Sequence, residues 1–174
     1  MRNFDEPLDK RLDEQLDGPI DGLLSKHRRG SGGRSWQDRC VMEITTKLPD
    51  DADSVFAAVG GPAFFFALAA GFYVRVATDE VLLPLYPDPD DLGPAEQRLA
   101  LFLMQYWGGP TTYSDVRGHP RLRMRHAPYA IGETERDHWL AAMNGALDDL
   151  AVPEDLRVRF DAYFAMSAEA MRNQ

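Results

Sequence analysis

A single cysteine, Cys40, is too few for an intramolecular disulfide, and no second cysteine or histidine stands near it at zinc-finger spacing. We interpret it as a free thiol without a chemical role. The longest apolar run, residues 64–72, is far shorter than the ~20 residues that a membrane span requires. The N-terminus also lacks the apolar segment of a secretion signal. The sequence therefore predicts a cytoplasmic protein with no membrane span.

Basic side chains are in the minority, since 19 Lys and Arg stand against 28 Asp and Glu and give a formal net charge of −9. Residues 1–40 hold eight side chains of each sign, so the whole negative excess belongs to residues 41–174. An acidic globular region argues against nucleic acid as a partner. Four arginines nevertheless cluster at positions 117, 121, 123 and 125. This local cationic patch predicts a small anionic ligand group rather than a polyanion.

The N-terminal stretch repeats an aliphatic residue followed by aspartate every four positions, as in Leu8-Asp9 and Leu12-Asp13. On a helix this spacing makes a narrow apolar stripe that suits a short docking segment. A Gly-Pro pair interrupts the repeat, and the basic SKHRRGSGGRS that follows has the composition of a flexible linker. We interpret residues 1–41 as a mostly disordered extension and linker. An alternative is that translation begins at Met42.

Helical periodicity dominates the rest of the chain, and no stretch forms a convincing strand. Prolines and glycines mark the ends of the periodic segments. The predicted helices span residues 55–59, 62–76, 94–107 and 135–150, with a last helix from Pro153. With 44% hydrophobic residues the chain can bury one core. The sequence thus predicts an all-α fold built from two long helix pairs.

Local signals refine the expected helices. A brief helical turn starts at Asp79 and is cut short by Pro84. Thr134 and Asp137 resemble a capping box at the start of the third long helix. Each long helix is expected to bury one face. These faces comprise Phe65, Leu68, Phe72 and Val76; then Ala95, Leu99, Phe102, Leu103 and Tyr106; then Trp139, Leu140, Met143 and Leu147; and finally Leu156, Phe160, Phe164 and Met166 or Met171.

Residues 111–131 keep no helical periodicity for more than a turn or two, and Pro120 and Pro128 restrict the backbone further. An irregular segment of this length is uncommon in a compact helical domain unless it is functional. His126 lies within it, in the basic, proline-bounded context GHPRLRMRHAP. An imidazole in such a loop can hold an iron-centred cofactor from one side. Taken alone, the position is more typical of an ordinary loop histidine.

Three blocks of the sequence resemble one family. They are FYVRVATDEVLLPLYPD at residues 72–88, AEQRLALFLMQYWGGPTTYSDVRGHPRLRMRHAPYAI at residues 95–131, and ERDHWL at residues 135–140. They make residues 54–173 similar to truncated haemoglobins of the second, O-type group from actinobacteria. The resemblance implies a two-over-two helical sandwich around one haem b, with the usual proximal helix largely replaced by a loop. On this basis we assign residues 42–174 to a truncated globin domain.

By the same resemblance, His126 is the proximal ligand of a five-coordinate haem iron, whose sixth position stays open for a diatomic gas. Tyr73, Tyr86 and Trp139 are expected to form the distal wall, where O–H and N–H donors stabilise negative charge on the bound gas. Ala95 falls where many globins place a distal His or Gln. No side chain at that point can donate a hydrogen bond.

The remaining predicted haem contacts concern the pocket cap and the two propionates. Leu99 is expected to cap the pocket. Arg125 and Arg98 are expected to make charge-assisted contacts with the propionates, with Tyr113 as a hydroxyl donor. Either arginine could equally pair with surface carboxylates. The other histidines, which the resemblance does not place as ligands, are His27, His119 and His138.

The resemblance implies a protein that binds O2, NO and other diatomics such as CO. Oxygen storage or transport is one use; conversion of NO to nitrate, which needs a separate reductase, is another. Peroxidase-like turnover of H2O2 is a third. The alternative class is a haem-based gas sensor or interaction protein that uses residues 1–41 to bind a partner. Self-association into a homo-oligomer stays open.

Overall fold

The structure is a computed structural model that describes residues 54–174. Three predictions lie outside the described residues: the extension and linker over residues 1–41, the alternative start at Met42, and the role of Cys40. The boundary of the globin domain at residue 42 lies outside them as well. No helix within residues 54–174 is both long and apolar enough to cross a membrane.

All regular secondary structure in the described part of the chain is helical, with no strand among residues 54–174. Its α-helices are α1 (Val55–Ala58), α2 (Pro62–Val76), α3 (Gly93–Tyr106), α4 (Thr112–Arg117), α5 (Leu122–His126), α6 (Glu133–Asp149) and α7 (Glu154–Met171). A 3₁₀ turn at Leu83–Leu85 lies between α2 and α3. The predicted all-α fold is confirmed, and the predicted bounds of α2 match those of the structure.

Local chemistry accounts for the entry into α2. The Oγ atom of Ser54 accepts a hydrogen bond from the backbone N–H of Ala57 at 3.2 Å and thereby caps α1. Gly60 and Gly61 then adopt φ values of 88° and 75°, which side chains with a Cβ rarely tolerate. Pro62 follows as the first residue of α2, where its missing N–H costs nothing.

The long helices form two pairs. Helix α2 packs against α3 and α6, and α7 packs against α6 and α5, which produces the predicted two-over-two sandwich. The approach of α2 to α6 is close, because a Cβ added at Gly71 would lie 3.3 Å from the Cβ of Ala146. The largest fully buried side chains come from all four long helices: Phe65, Leu68, Phe72, Val76, Leu103, Met104, Met143, Leu147, Phe160 and Phe164.

The segment between α3 and α6 corrects one expectation, since residues 111–131 contain α4 and α5 rather than an irregular loop. The start of α4 is held from outside the segment. Gln105 on α3 accepts from the backbone N–H of Ser114 at 3.0 Å and donates to its hydroxyl at 2.8 Å. Because this support comes from a residue nine positions away, local periodicity does not reveal it.

Smaller corrections concern caps and helix faces. The N-cap of α6 is Gly132, whose backbone N–H donates to the Glu135 carboxylate at 2.7 Å, so the predicted capping box of Thr134 and Asp137 is wrong. Pro84 lies inside the 3₁₀ turn instead of ending a turn before it. In α7 the partly buried methionine is Met171, since Met166 is exposed. Tyr106 is 49% exposed, so it does not complete a buried face of α3.

Candidate functional site

A cavity of about 290 Å³ lies between the helix pairs and the α4–α5 segment. Its lining is mostly apolar, with cationic and hydroxyl groups among the apolar side chains. All nine side chains predicted for the site line this one cavity: Tyr73, Tyr86, Ala95, Arg98, Leu99, Tyr113, Arg125, His126 and Trp139. Residues far apart in the sequence therefore converge where the family resemblance places a cofactor.

His126 is the last residue of α5, and its ring is partly buried against the cavity. The Nδ1 atom lies 2.8 Å from the carbonyl oxygen of Leu122, one helical turn earlier. A carbonyl oxygen only accepts, so Nδ1 carries the proton and the Nε2 lone pair is left for an electrophile such as a metal ion. The neighbouring backbone fixes which nitrogen is available.

The loop that follows α5 is anchored by Asn173, beyond the end of α7. Its side-chain amide donates to the carbonyl oxygens of His126 at 3.3 Å and Tyr129 at 2.8 Å, and its Oδ1 accepts from the N–H of Ile131 at 3.0 Å. The C-terminus of the chain thus holds the backbone that carries His126. No sequence signal near position 173 identifies this contact.

A pair of tyrosines forms another part of the lining. The rings of Tyr73 and Tyr86 meet edge to face with centroids 5.5 Å apart, and their hydroxyls are hydrogen-bonded to each other. Burial raises the pKa of Tyr73 well above its ordinary value, and the neighbouring Tyr86 adds to the shift. Burial likewise raises the pKa of Tyr86, against the hydrogen bond from Tyr73. Both side chains are therefore neutral hydrogen-bond donors at ordinary pH.

Trp139 packs between two core aromatics, with its ring centroid 5.4 Å from that of Phe72 and 5.7 Å from that of Phe164. Its indole therefore borders the cavity on a rigid support. Ala95 is buried and small, and Leu99 lies one turn further along α3. The side chain at position 95 therefore offers no hydrogen-bond donor to the cavity.

The arginine patch divides into two kinds of residue. Arg117 and Arg125 line the cavity, whereas Arg121 and Arg123 are exposed and do not. The Nε atom of Arg125 donates to the Pro120 carbonyl at 2.9 Å, and its Nη2 donates to the Arg117 carbonyl at 3.3 Å. These bonds leave further donors of the guanidinium for an anionic ligand group.

Two further cations contribute to the lining. Arg98 comes from α3, and its positive charge opposes the raised pKa values of Tyr73 and Tyr86. Arg136 also borders the cavity, but its guanidinium pairs with Asp137 at 2.9 Å and Glu169 at 2.7 Å. Arg98 is therefore the better candidate of the two to meet an anion.

Sequence reasoning missed part of the lining that α7 supplies. These residues are Tyr163, Phe164, Ser167, Ala168 and Met171. Their spacing of three and four positions places them on one face of the helix, and this pattern could have identified them. Phe164 and Met171 were predicted only as core.

The residues fit a flat metal-bearing macrocycle better than a bare ion. Within residues 54–174 no group of three or more His, Cys, Asp or Glu side chains could hold a metal ion. Among these residues His126 therefore belongs to no such cluster, and a metal bound by it would need ligands beyond these side chains. A mostly apolar cavity with one available imidazole nitrogen and cations among its walls suits a porphyrin with two carboxylates.

Comparison with known proteins agrees with this geometry. The family described as Bacterial-like globin matches residues 54–173. Group 2 truncated hemoglobin YjbI of Bacillus subtilis (strain 168) is 35% identical over 114 residues, which cover 66% of this chain and 85% of that protein.

Solved structures show the same relationship. A thermostable hemoglobin from the actinobacterium Thermobifida fusca is 58% identical with a TM-score of 0.67, over 69% of this chain and 97% of that one. A truncated oxygen-avid haemoglobin from Bacillus subtilis is 33% identical with a TM-score of 0.65, over 69% of this chain and 99% of that one. The chain belongs to the bacterial-like globins and is a truncated haemoglobin of the second group.

Proposed function

We propose that the chain holds haem b through Nε2 of His126 and binds dioxygen reversibly in the cavity beside it. The family implies haem and gas binding in general. The observation that carries the specific assignment is the 2.8 Å contact between His126 Nδ1 and the Leu122 carbonyl. It leaves one imidazole nitrogen available within an apolar cavity.

Haem supplies an iron with one open position for a diatomic gas and a reversible change of oxidation state. The protein's own contribution is to orient the imidazole and to limit its motion. The Leu122 carbonyl orients the ring, and Asn173 holds the backbone of His126 and Tyr129. An imidazole whose ring and backbone are both held in this way has little freedom to rotate or tilt.

Two polar aromatics stabilise the gas, and a third positions one of them. Dioxygen acquires partial negative charge when it binds, and hydrogen-bond donors in a low-dielectric cavity lower the energy of that charge. Tyr86 and Trp139 are the proposed donors, and Tyr73 orients the Tyr86 hydroxyl through their mutual hydrogen bond. Because each donor is a neutral O–H or N–H group, the stabilisation should not depend on pH near neutrality.

The cations and Tyr113 serve the haem carboxylates. Arg98 and Arg125 line the cavity with unused guanidinium donors, and the buried Tyr113 presents its side chain to the same space. Charge-assisted hydrogen bonds of this kind are stronger than neutral ones. Leu99 caps the pocket. The small Ala95 has no donor group, so the hydrogen bonds to the gas come from the aromatic side chains.

Tight oxygen binding supports several uses, and the similar Bacillus subtilis structure is described as oxygen-avid. Storage or transport of O2 requires nothing further. Conversion of NO to nitrate consumes O2 and one electron from a separate reductase, and CO and H2O2 also fit the open position. We place these activities in the cytoplasm.

The assignment of His126 is tested by absorption spectroscopy of the haem-loaded chain. His126→Gly should lose the Soret band of bound haem, and free imidazole added to this variant should restore it. The control is His119→Gly, because His119 is exposed and does not line the cavity. An unchanged Soret band in His126→Gly would refute the assignment.

The alternative function, a gas sensor with a partner bound by the N-terminal segment, has a separate test. Deleting residues 1–41 should leave the rate of O2 release unchanged and should abolish capture of the partner that the full chain pulls down. A changed rate would mean that the segment contacts the globin domain and shapes its cavity.

A further inference from the structure

Two tyrosine rings lie in contact between the cavity and the surface. Tyr163 on α7 lines the cavity and is only 7% exposed. Its ring stacks on that of Tyr106, at the end of α3, with centroids 3.9 Å apart and ring planes 29° from parallel. Tyr106 does not line the cavity, and at 49% it is the most exposed of the chain's six tyrosines, all of which are described. The stacked pair therefore connects the cavity lining to the protein surface.

We propose that Tyr163 and Tyr106 form a one-electron route between the haem cavity and the protein surface. The proposal rests on the proposed function, because it needs haem in the cavity. The rate of electron transfer falls steeply with distance, so an electron passes faster between two stacked phenol rings than between separated ones. A reductant too large to enter the cavity could then deliver electrons at Tyr106.

Trp107 is the neighbouring aromatic, and its surroundings disfavour its oxidation. Its ring centroid lies 5.2 Å from that of Tyr106 and 5.3 Å from that of Tyr163. The guanidinium of Arg159 stands 5.9 Å from the indole centroid, and a cation there opposes a positive charge on the ring. The buried indole N–H has no acceptor among the described residues, so an oxidised indole could not lose its proton.

The two tyrosines can lose a proton together with the electron. Burial raises the pKa of Tyr163 to about 12, so the phenol is neutral and must release its proton when oxidised. A hydrogen bond from Ser167 acts against this shift, and because Tyr163 lines the cavity its proton can leave into the cavity, where the reduction of H2O2 consumes protons. Tyr106 is half-exposed and releases its proton to solvent.

The electrons balance with hydrogen peroxide as the oxidant. One H2O2, two electrons and two protons give two molecules of water. Tyr163 loses each electron to the cavity, and Tyr106 then gives one electron to Tyr163. A one-electron donor such as ferrocyanide, which becomes ferricyanide, finally reduces Tyr106. Without a donor, two oxidised Tyr106 rings from separate molecules couple by a carbon–carbon bond. In that case the two electrons and two protons lost by the phenols reduce one H2O2.

The test treats the haem-loaded full chain with H2O2 in the absence of a donor. The expected product is a covalent dimer with dityrosine fluorescence, joined at Tyr106 as read by mass spectrometry. Tyr106→Phe should form no such dimer while its O2 release rate stays unchanged, since Tyr106 does not line the cavity. Tyr163→Phe keeps the stacked ring but should reduce the dimer to the level of the haem-free chain. Ferrocyanide should suppress the dimer in the unmodified chain.

Tyr129→Phe is the matched control, because Tyr129 also lines the cavity and is partly buried. It should give as much dimer as the unmodified chain. The proposal is overturned if the unmodified chain forms no dimer, if Tyr163→Phe forms as much, or if Tyr129→Phe abolishes it. A normal Soret band and normal O2 binding in each variant separate failure of this route from failure of haem binding.

Discussion

The Nδ1 atom of His138 lies 2.9 Å from Oδ2 of Asp79, and this contact joins the corner after α2 to α6. The other carboxylate oxygen of Asp79 accepts from the N–H groups of Val81 and Leu82 at 2.9 and 2.8 Å. The corner leads to Tyr86, and Trp139 follows His138 directly in α6. One carboxylate therefore ties the corner that leads to Tyr86 to the helix that carries Trp139.

Asp79→Asn should weaken the pH dependence of stability in acid. Partial desolvation raises the pKa of Asp79, but hydrogen bonds from His138, Leu82 and Val81 outweigh it, so the pKa lies below the ordinary value of 3.8. The contact thus stabilises the fold fully above that value and loses its effect as pH falls through the lower folded pKa. Urea unfolding between neutral and acid pH measures the change.

The control for this experiment is Glu80→Gln, which removes the same charge from the adjacent, exposed position. Its pH dependence should resemble that of the unmodified chain. If Asp79→Asn and Glu80→Gln reduce the pH dependence of stability in acid equally, the effect comes from net charge and not from the contact with His138.

Tyr86→Phe and Trp139→Phe should each speed O2 release from the haem-loaded chain. Each change removes one hydrogen-bond donor from the cavity, and every 1.4 kcal/mol lost accelerates release about tenfold. Stopped-flow mixing of the O2-bound chain with excess CO measures the rate. Tyr106→Phe, outside the cavity, should leave the rate unaltered. Unchanged rates in both cavity variants would place the donors elsewhere.

Arg98→Gln should accelerate the loss of haem. The guanidinium lines the cavity and is partly exposed, and ion pairs in such positions contribute about 0.2–1 kcal/mol. Haem loss to an acceptor globin should therefore rise by a few-fold. Arg123→Gln removes an equal charge from an exposed residue that does not line the cavity, and it should have no effect. Equal acceleration in both variants would show a long-range charge effect instead.

Sequence alone predicted the elements that depend on local chemistry. The bounds of α2 follow from Gly61 before Pro62 and from a buried face that ends at Val76, and all of these signals are adjacent to the element they define. The site residues were also predicted, because three sequence blocks resemble one family and His126 lies inside the longest. Their convergence on one cavity is compatible with the predicted roles, which the proposed variants test.

The predictions that failed depend on distant contacts. Helix α4 receives its support from Gln105, and the turn at α5 is braced by Arg125, which bonds to the carbonyl oxygens of Pro120 and Arg117. The contact of Asn173 with His126 joins residues 47 positions apart in the sequence. Periodicity reports which residues share a helix face and not which hydrogen bonds their side chains make, so none of these interactions could have been read from spacing.

Gly109→Ala should destabilise the domain where α3 meets α1. A Cβ at this position would lie 2.7 Å from Cδ2 of Phe56 and 2.8 Å from the carbonyl oxygen of Met104, and the latter is backbone that cannot move aside. Overpacking of this kind costs about 1–3 kcal/mol, which corresponds to a fall of several degrees in Tm. In the control, Gly93→Ala, the only close atom belongs to the flexible side chain of Asp91, so the change should stay within about 0.5 kcal/mol. Thermal unfolding followed by circular dichroism compares them, and equal Tm values for the two variants would contradict the predicted clash.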